Sequence, residues 1–372
     1  MNRKAVLRAV ILALGWGLVA SLPALSDDSA AAIAAGGLVA RRETRIVMAR
    51  EVLQISLKKV VVDYDFRNDT DQDVTTEVAF PVPPYENGTP MVLPAKQSFS
   101  DFRLWVDGKP VHFEVEETAT LKGKDVTAIL KANNIDISTF GHYEGKDDAN
   151  HFFHETTLDF EKLSNPVKNE LVKAGLFDGW GESTYANWTV HLQYHWTQTF
   201  PAHSTIHIRH EYTPAIGFAY IDSAVDIFDA LSAPAHTAKA DLDATQLLTG
   251  FCLNQSVIAA FARRLHFNQS AARTDTEKLF AGTMTPQWVD FILTSANTWK
   301  RPIEDFTLII ERPKPEHGGK VFINFCPPAN GEVEKTDVDL FQFHLTNFVP
   351  VSELHIGFFE LPQAKAAQPA IK

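Results

Sequence analysis

Runs in which apolar and polar side chains alternate restrict the fold of this sequence more than any other feature. The clearest run has apolar residues at every second position from Trp188 to Trp196. Similar runs cover Lys59–Arg67 and Val74–Val82. Successive side chains of a β-strand point to opposite faces, so this period of two predicts half-buried strands. We therefore expect a sheet protein in which each strand buries one face.

Two short polar connections predict β-hairpins. Asn68–Asp71 separates the first two alternating runs and has the composition of a turn. Asp107-Gly108 suits a tight turn with positive φ and separates Phe102–Val106 from Val111–Val115. We expect each pair of flanking strands to be hydrogen-bonded to each other.

Helical signals are fewer. Lys124–Asn134 is predicted as a short helix, and Ser164, Pro166 and Gly175 mark the cap, first turn and stop of a second one. Residues 139–159 are predicted as a loop. Apolar residues recur at helical spacing between 218 and 300, in two sets: Val257, Phe261 and Leu265, and then Trp288, Phe291 and Ile292.

Strand patterns return near the end of the chain, at Phe306–Glu311, Val321–Cys326, Phe341–Thr346 and Leu354–Phe359. Two blocks of strands around a helical block predict an α+β fold that is predominantly antiparallel β, a β-sandwich-like scaffold with helical insertions. The expected divisions are a β-sandwich-like region at 27–217 with a short helical excursion at about 118–178, a helical insertion at 218–300, a C-terminal β region at 301–361, and a mobile tail at 362–372.

The first 26 residues have the three parts of an export signal. Basic Arg3, Lys4 and Arg8 precede the apolar stretch Ala9–Leu25, and small residues follow. A retained membrane anchor is the alternative, but 17 residues interrupted by two glycines and a proline lie near the lower limit for a span. We expect cleavage after Ser26 and a periplasmic or secreted protein that is not integral to the membrane.

The two cysteines, Cys252 and Cys326, are expected to form a disulfide, because export would place them in an oxidising compartment. Two buried free thiols are the alternative.

The charge balance excludes one class of partner. Three of the 34 Lys and Arg lie in the first 26 residues, which hold no Asp or Glu, so 31 basic residues remain against 46 acidic ones. Such a surface repels phosphate backbones, and we expect no nucleic acid partner.

Eight of the 14 histidines fall between His142 and His210. Within this cluster His191, His195 and His207 are the candidate metal ligands, on one strand and its neighbour. His191 and His195 are roughly 13 Å apart on a strand, too far to share a metal unaided. Exposed histidines on a sheet face explain the same pattern. His210 shares the apolar side of its strand and is expected to be a buried histidine hydrogen-bonded within the sheet.

Catalytic and cofactor motifs are missing from the sequence. It contains no GxSxG, HExxH, GxGxxG or GxxxxGK[ST] pattern, and no pair of carboxylates is singled out by position. Tryptophans could line a sugar or peptide groove, although aromatic residues at alternating strand positions are more often core. No cofactor is expected.

Several segments resemble the bacterial domain-of-unknown-function family numbered 4424. They are Ala34–Leu38, Val62–Asn68, the Ala79–Pro83 run, Trp196–Ala202, His210–Gly217, Phe251-Cys252, Phe291–Trp299 and Asp305–Leu308. The positions that carry the resemblance include Phe80, Pro81, Trp196, His210, Tyr212 and Pro214. The resemblance implies an exported bacterial protein in which Cys252 and Cys326 correspond to paired cysteines, and it implies no activity.

Three hypotheses of function remain at this point. The first is an exported, non-enzymatic binding or envelope-associated module whose partner is an envelope protein or a glycan. The second is a hydrolase that acts on an envelope polysaccharide or peptide, with its groups brought together only by the fold. The third is a periplasmic metal-handling protein.

Overall fold

The computed structural model describes residues 28–34, 37–87, 99–140, 157–180, 183–218, 250–253, 286–315, 320–328 and 334–361. The predicted export signal, the predicted tail and most of the predicted helical insertion lie outside these residues. Within them, no helix is long and apolar enough to cross a membrane.

The described residues are mostly strand. The strands are β1 Ser29–Ala34, β2 Gly37–Ala40, β3 Ile46–Ile55, β4 Val60–Asn68, β5 Val74–Pro81, β6 Tyr85–Glu86, β7 Ser100–Val106, β8 Lys109–Pro110, β9 Glu114–Leu121, β10 Lys124–Asp125, β11 Phe177–Trp180, β12 Ser183–Ala186, β13 Thr189–Phe200, β14 Ser204–Thr213, β15 Ile216–Phe218, β16 Gln287–Phe291, β17 Ile303–Glu311, β18 Lys320–Phe325, β19 Glu334–Lys335, β20 Leu340–Phe348 and β21 Leu354–Leu361. The helices with defined bounds are α1 Thr127–Ala132, α2 Asn165–Lys173 and a 3-10 turn at Thr294–Thr298.

Two large sheets, one four-stranded sheet and the two-stranded sheet β11-β12 organise these strands. Sheet A has the order β10-β9-β13-β5-β1-β2, with β6 also paired to β13. Sheet B has the order β19-β20-β17-β3-β4-β14-β7-β8, and sheet C has the order β15-β16-β21-β18. Neighbouring strands are antiparallel in the described residues except for β3 and β17, which run parallel. The predicted α+β, predominantly antiparallel class is confirmed.

The core lies between sheets A and B, and it follows from the alternation in the sequence. On β4 of sheet B, Val60, Val62, Tyr64 and Phe66 are fully buried, while Asp63 and Asp65 are only partly buried. On β13 of sheet A, Val190, Leu192, Trp196 and Phe200 are buried in the same way. Phe66 and Phe200 touch across the two sheets, with ring centroids 5.8 Å apart. Burying each such ring stabilises the fold by about 1.5–3 kcal/mol.

The first predicted hairpin is wrong in its pairing, although both strands exist. β4 lies in sheet B between β3 and β14, whereas β5 lies in sheet A between β13 and β1. The corner depends on the buried side chain of Asn68. Its Nδ2 donates to the carbonyl oxygens of Gln72 and Phe200, and its Oδ1 accepts from Thr70. These bonds turn the chain from one layer of the sandwich to the other.

The second predicted hairpin forms only at its tip. Asp107 and Gly108 have φ of 48° and 73°, as the turn requires. The last paired residues are Trp105 and Pro110, and one further backbone hydrogen bond runs from the N–H of Val111 to the carbonyl oxygen of Leu104. The chain next enters β9, which belongs to sheet A.

Both short helices agree with the sequence prediction. α1 lies inside the predicted Lys124–Asn134 segment, and α2 begins after Ser164 and is followed by Gly175 at φ +77°. Residues 157–162 form helical turns, although the first three of them, 157–159, were expected to belong to a loop. Ser29–Ala34 and Gly37–Ala40, for which no strand was predicted, pair as β1 and β2.

The prediction of a helix that contains Trp288, Phe291 and Ile292 is wrong. Residues 287–291 form strand β16 at the centre of sheet C, paired with β15 and β21. Phe291 is buried toward Phe80, with ring centroids 6.3 Å apart, while Trp288 lies on the opposite face. A short apolar run satisfies both helical and strand spacing, and here the pairing with neighbouring strands decides.

Candidate functional site

A cavity of about 160 Å³ lies where the sandwich meets sheet C. It is lined by the segment after β5, by Phe99, by the connection from β14 to β15, and by β16. The lining residues are Val82, Pro83, Pro84, Tyr85, Glu86, Phe99, Tyr212, Pro214, Ala215, Ile216, Gly217, Trp288 and Asp290. Most of this surface is aromatic, aliphatic or proline, which is the composition of a small-molecule pocket.

Prolines and short strands fix the wall formed by the segment after β5. Pro83 and Pro84 end the pairing of β5, and Tyr85 then pairs with Val190 of β13 as part of β6. On the next wall, Phe99 stacks on Tyr212 with ring centroids 4.5 Å apart and an interplanar angle of 27°. Both rings therefore belong to the packed interior, and the cavity surface they form is rigid.

Gly217 allows the indole of Trp288 to form another wall. The two residues are opposite each other in β15 and β16. A Cβ at position 217 would lie 1.8 Å from Cε2 of Trp288 and 2.0 Å from its Nε1. The indole therefore lies directly over the glycine backbone, and any larger residue at 217 would displace it.

Glu86 and Asp290 are the only charged residues among the described residues that line the cavity. Glu86 is exposed, and no cation of the described chain pairs with it. Asp290 accepts a hydrogen bond from Nδ1 of His355 on the neighbouring strand β21. The cavity thus combines an apolar interior with carboxylates at its border.

The disulfide supports this arrangement from the face of sheet C that carries Trp288, because the adjacent Phe251 lies 5.9 Å from Trp288 between ring centroids. Cys252 and Cys326 are bonded, with Cα atoms 5.0 Å apart, which confirms the predicted bridge. The adjacent Phe251 is fully buried and stacks on the His355 ring at 4.1 Å, with an interplanar angle of 7°. The bridge therefore holds Phe251 against His355, which contacts Asp290 at the cavity.

Burial keeps the nearby phenols neutral. It raises the pKa of Tyr85 well above its usual range and raises the pKa of Tyr194 to about 12, with the charge of Glu117 adding to both shifts. Oη of Tyr85 is buried and has no hydrogen-bond partner among the described residues. Negative charge around the cavity therefore comes from carboxylates.

A buried acid–base pair lies deeper in the sandwich. His210 of β14 and Asp28, just ahead of β1, are both fully buried, with Nε2 of His210 3.3 Å from Oδ1 of Asp28. Burial raises the pKa of Asp28, and the charge and hydrogen bond of His210 offset part of that rise. The backbone N–H of Asp28 donates to Oη of Tyr64, and Nε1 of Trp299 donates to its carbonyl oxygen.

The expected burial of His210 is observed, but its partner lies on the opposite sheet rather than within its own. Asp28 was missed because the sequence places it among the charges that follow the export signal. No local pattern distinguishes a charge that enters the core from one that stays in water.

The positions that carry the family resemblance converge around this pair and the cavity. The ring of His210 lies 5.0 Å from Phe80 and 5.4 Å from Trp196, between centroids. Phe80 also lies 5.5 Å from Tyr212, which lines the cavity together with Pro214. Pro81, at the end of β5, is buried one residue before the first lining residue, Val82.

The three candidate metal ligands are not brought together. His191 and His195 lie on β13 of sheet A, where they contact Thr120 and Glu77 at 2.9 and 2.7 Å. His207 lies on β14 of sheet B. Its ring nitrogens are 2.9 Å from Asp65 and 3.1 Å from Asp63. Among the described residues, no group of three or more His, Cys, Asp or Glu could hold a metal ion.

The chain belongs to the family defined as a domain of unknown function, DUF4424, whose model matches residues 26–356. No curated protein matches the sequence. Among solved structures, it is similar to a "putative nutrient binding protein" from Legionella pneumophila subsp. pneumophila, at 14% identity and a TM-score of 0.41. That alignment covers 90% of this chain and 70% of the other.

A second similar structure is a two-domain M1 zinc metallopeptidase mutant bound to L-tryptophan, at 8% identity and a TM-score of 0.19. The alignment covers 86% of this chain and 44% of that one. Similarities this low do not support an inference about function. Any such inference therefore has to rest on the cavity itself.

Proposed function

We propose that this protein is an exported, non-enzymatic binding protein that takes an apolar group with a positively charged end into the cavity beside Trp288. The observation that carries the proposal is the composition of the cavity lining. Aromatic rings and prolines form the walls, and the two charged side chains among the described lining residues are both carboxylates, Glu86 and Asp290.

The size of the cavity defines the ligand class further. An apolar cavity of about 150 Å³ accommodates a single benzene ring. At about 160 Å³, this cavity suits one ring or one branched aliphatic group, either as a small amine or as part of a larger envelope ligand. A cation near an aromatic face gains about 0.5–2 kcal/mol, and the carboxylates add to this attraction.

Two observations support export. The bonded cysteines are typical of proteins in oxidising compartments. The first 26 residues have the composition of a removable signal. The hydrolase alternative remains a prediction that nothing in the described residues tests.

The proposal is tested by calorimetric titration with three probes that share one ring and differ in charge: benzylamine, benzyl alcohol and benzoate. We expect affinity to fall in that order at neutral pH. E86Q should weaken benzylamine binding about threefold to tenfold and leave benzyl alcohol unchanged, because only the charge is removed. Glu170 on α2 is exposed and remote from the cavity lining, so E170Q is the matched control with the same change in net charge. Equal affinities for the three probes, or no binding at all, would contradict the proposal.

A further inference from the structure

A second, larger cleft of about 730 Å³ opens at the edge of sheet B where the parallel strands β3 and β17 both end. One wall is the β3–β4 turn, residues 56–59, and another is the segment 311–315 that follows β17. Gln287 of sheet C and Asp339 complete the lining. Because Gln287 and Trp288 are neighbours on one strand, their side chains point to opposite faces of sheet C, and this cleft is separate from the aromatic cavity.

The charge of this cleft is opposite to that of the whole chain. Its lining contains four cations, Lys58, Lys59, Arg312 and Lys314, against the two carboxylates of Glu311 and Asp339. The chain as a whole has a formal net charge of −12. A cleft whose lining carries an excess of one sign of charge attracts ligands of the other sign.

Part of this positive charge is not neutralised by the protein. Nζ of Lys59 lies 2.5 Å from Glu211, and Nη1 of Arg312 lies 3.8 Å from Asp339. Lys58 and Lys314 are exposed, and neither has a carboxylate partner in the described part of the chain. Two ammonium groups therefore remain available to a ligand.

Arg312 is held rigidly in the wall of the cleft. Nη1 donates to the carbonyl oxygen of Val338 at 3.1 Å, and the guanidinium lies 4.7 Å from the ring centroid of Phe341. Its Nε is buried and has no acceptor among the described residues. A buried donor of this kind calls for an acceptor such as an anion or an ordered water.

We propose that this cleft binds a phosphate-bearing anion. Ammonium groups from two segments of the chain together with a fixed guanidinium suit a ligand with several oxygens and more than one negative charge, whereas a single carboxylate would satisfy only part of the set. This site is independent of the aromatic cavity, and either one can be disproved without the other.

The test is calorimetric titration of the full chain with inorganic pyrophosphate at about 0.15 M salt, where the Debye length of ~8 Å screens the distant acidic surface but not the cleft. We expect one binding site per chain. The double variant K58A/K314A should bind at least about tenfold more weakly, because two unpaired charges are lost. Both lysines are exposed, so the variant should keep the thermal unfolding of the wild type.

The matched control is K131A/K173A, which removes the same charge from α1 and α2, where alanine favours the helix. Unchanged affinity in this control supports the cleft. The proposal is overturned if pyrophosphate does not bind, or if both double variants weaken binding equally.

Sedimentation with phosphatidylglycerol vesicles, compared with phosphatidylcholine vesicles, then distinguishes a lipid headgroup from a small phosphate as the ligand. Loss of sedimentation in K58A/K314A alone assigns the headgroup, and pyrophosphate binding without sedimentation assigns the small ligand.

Discussion

The imidazole of His210 and the carboxylate of Asp28 meet in the interior of the sandwich, with Nε2 and Oδ1 3.3 Å apart and neither side chain exposed. Asp28 leads into sheet A, and His210 belongs to sheet B. The pair therefore joins the two layers by a polar contact within an aromatic core. Removing one partner of such a pair leaves a buried polar group unsatisfied, which is strongly destabilising.

The raised pKa of Asp28 predicts how stability depends on pH. When burial raises the pKa of a carboxyl group above its unfolded value of 3.8, the folded state binds the proton more tightly than the unfolded state. The stabilisation from this group is complete below that unfolded value and is lost as pH rises through the folded pKa. We expect the stability of the wild type relative to D28N to fall as pH increases above about 4.

Urea unfolding of both proteins at a series of pH values measures this difference. The difference between the two proteins cancels the titration of groups that do not interact with Asp28. A relative stability of the wild type that increases with pH would contradict the prediction, because it would mean that the fold favours the charged carboxylate.

The contact between Gly217 and Trp288 gives a second prediction. In G217A the added Cβ overlaps the indole, so Trp288 must move, and we expect a loss of about 1–3 kcal/mol in the free energy of unfolding. Benzylamine binding should weaken together with stability. Chemical denaturation and titration measure the two effects.

A double-mutant cycle provides the control for this prediction. In a W288A background the indole is absent, and G217A should then cost little further stability. Equal losses from G217A in the presence and in the absence of Trp288 would contradict the proposed overlap.

The sequence predicts the strands better than it predicts their partners. The alternation on β4 and β13 shows which side of each strand is buried, because burial of one face requires a period of two. The alternation does not show which sheet each strand joins. β4 and β5 follow each other through a polar turn and still enter different layers, because the side chain of Asn68 bonds to the distant Phe200 carbonyl. Long-range bonds of this kind leave no local pattern.

The site is predicted less well than the fold, for the same reason. The cysteine pair and the burial of His210 follow from composition and periodicity. The cavity combines residues from segments far apart in the chain, so no spacing within the sequence predicts it. Trp288 was assigned to a helix because Trp288, Phe291 and Ile292 have the spacing of one helical face, and so short a segment is also compatible with a strand.

The disulfide gives a third prediction. C252S/C326S should lower the free energy of unfolding by about 2–5 kcal/mol, since the bridge closes a long loop. It should also weaken benzylamine binding, because Phe251 is no longer fixed against His355 beside Asp290. Denaturation and titration with and without a reducing agent check both effects. Reduction should affect the wild type and leave the double variant unchanged, and an effect on both proteins would contradict this account.

Export gives a fourth prediction. N-terminal sequencing of protein recovered from outside the bacterial cytosol should begin at Asp27, as the predicted cleavage after Ser26 requires. Asp28 would then enter the core one residue after the new amino terminus. A chain that retains the apolar segment Ala9–Leu25 would contradict the prediction.

The central claim, that the cavity beside Trp288 is a ligand site for a cationic apolar group, is tested most directly by crystallography with a bromine-substituted benzylamine. Anomalous scattering locates the bromine atom independently of how the remaining electron density is interpreted. We predict an anomalous peak inside the cavity between Trp288 and Tyr212, with the ammonium group directed to Glu86 or Asp290. An anomalous peak only at other surfaces, or none at a concentration that saturates the calorimetric titration, would contradict the claim.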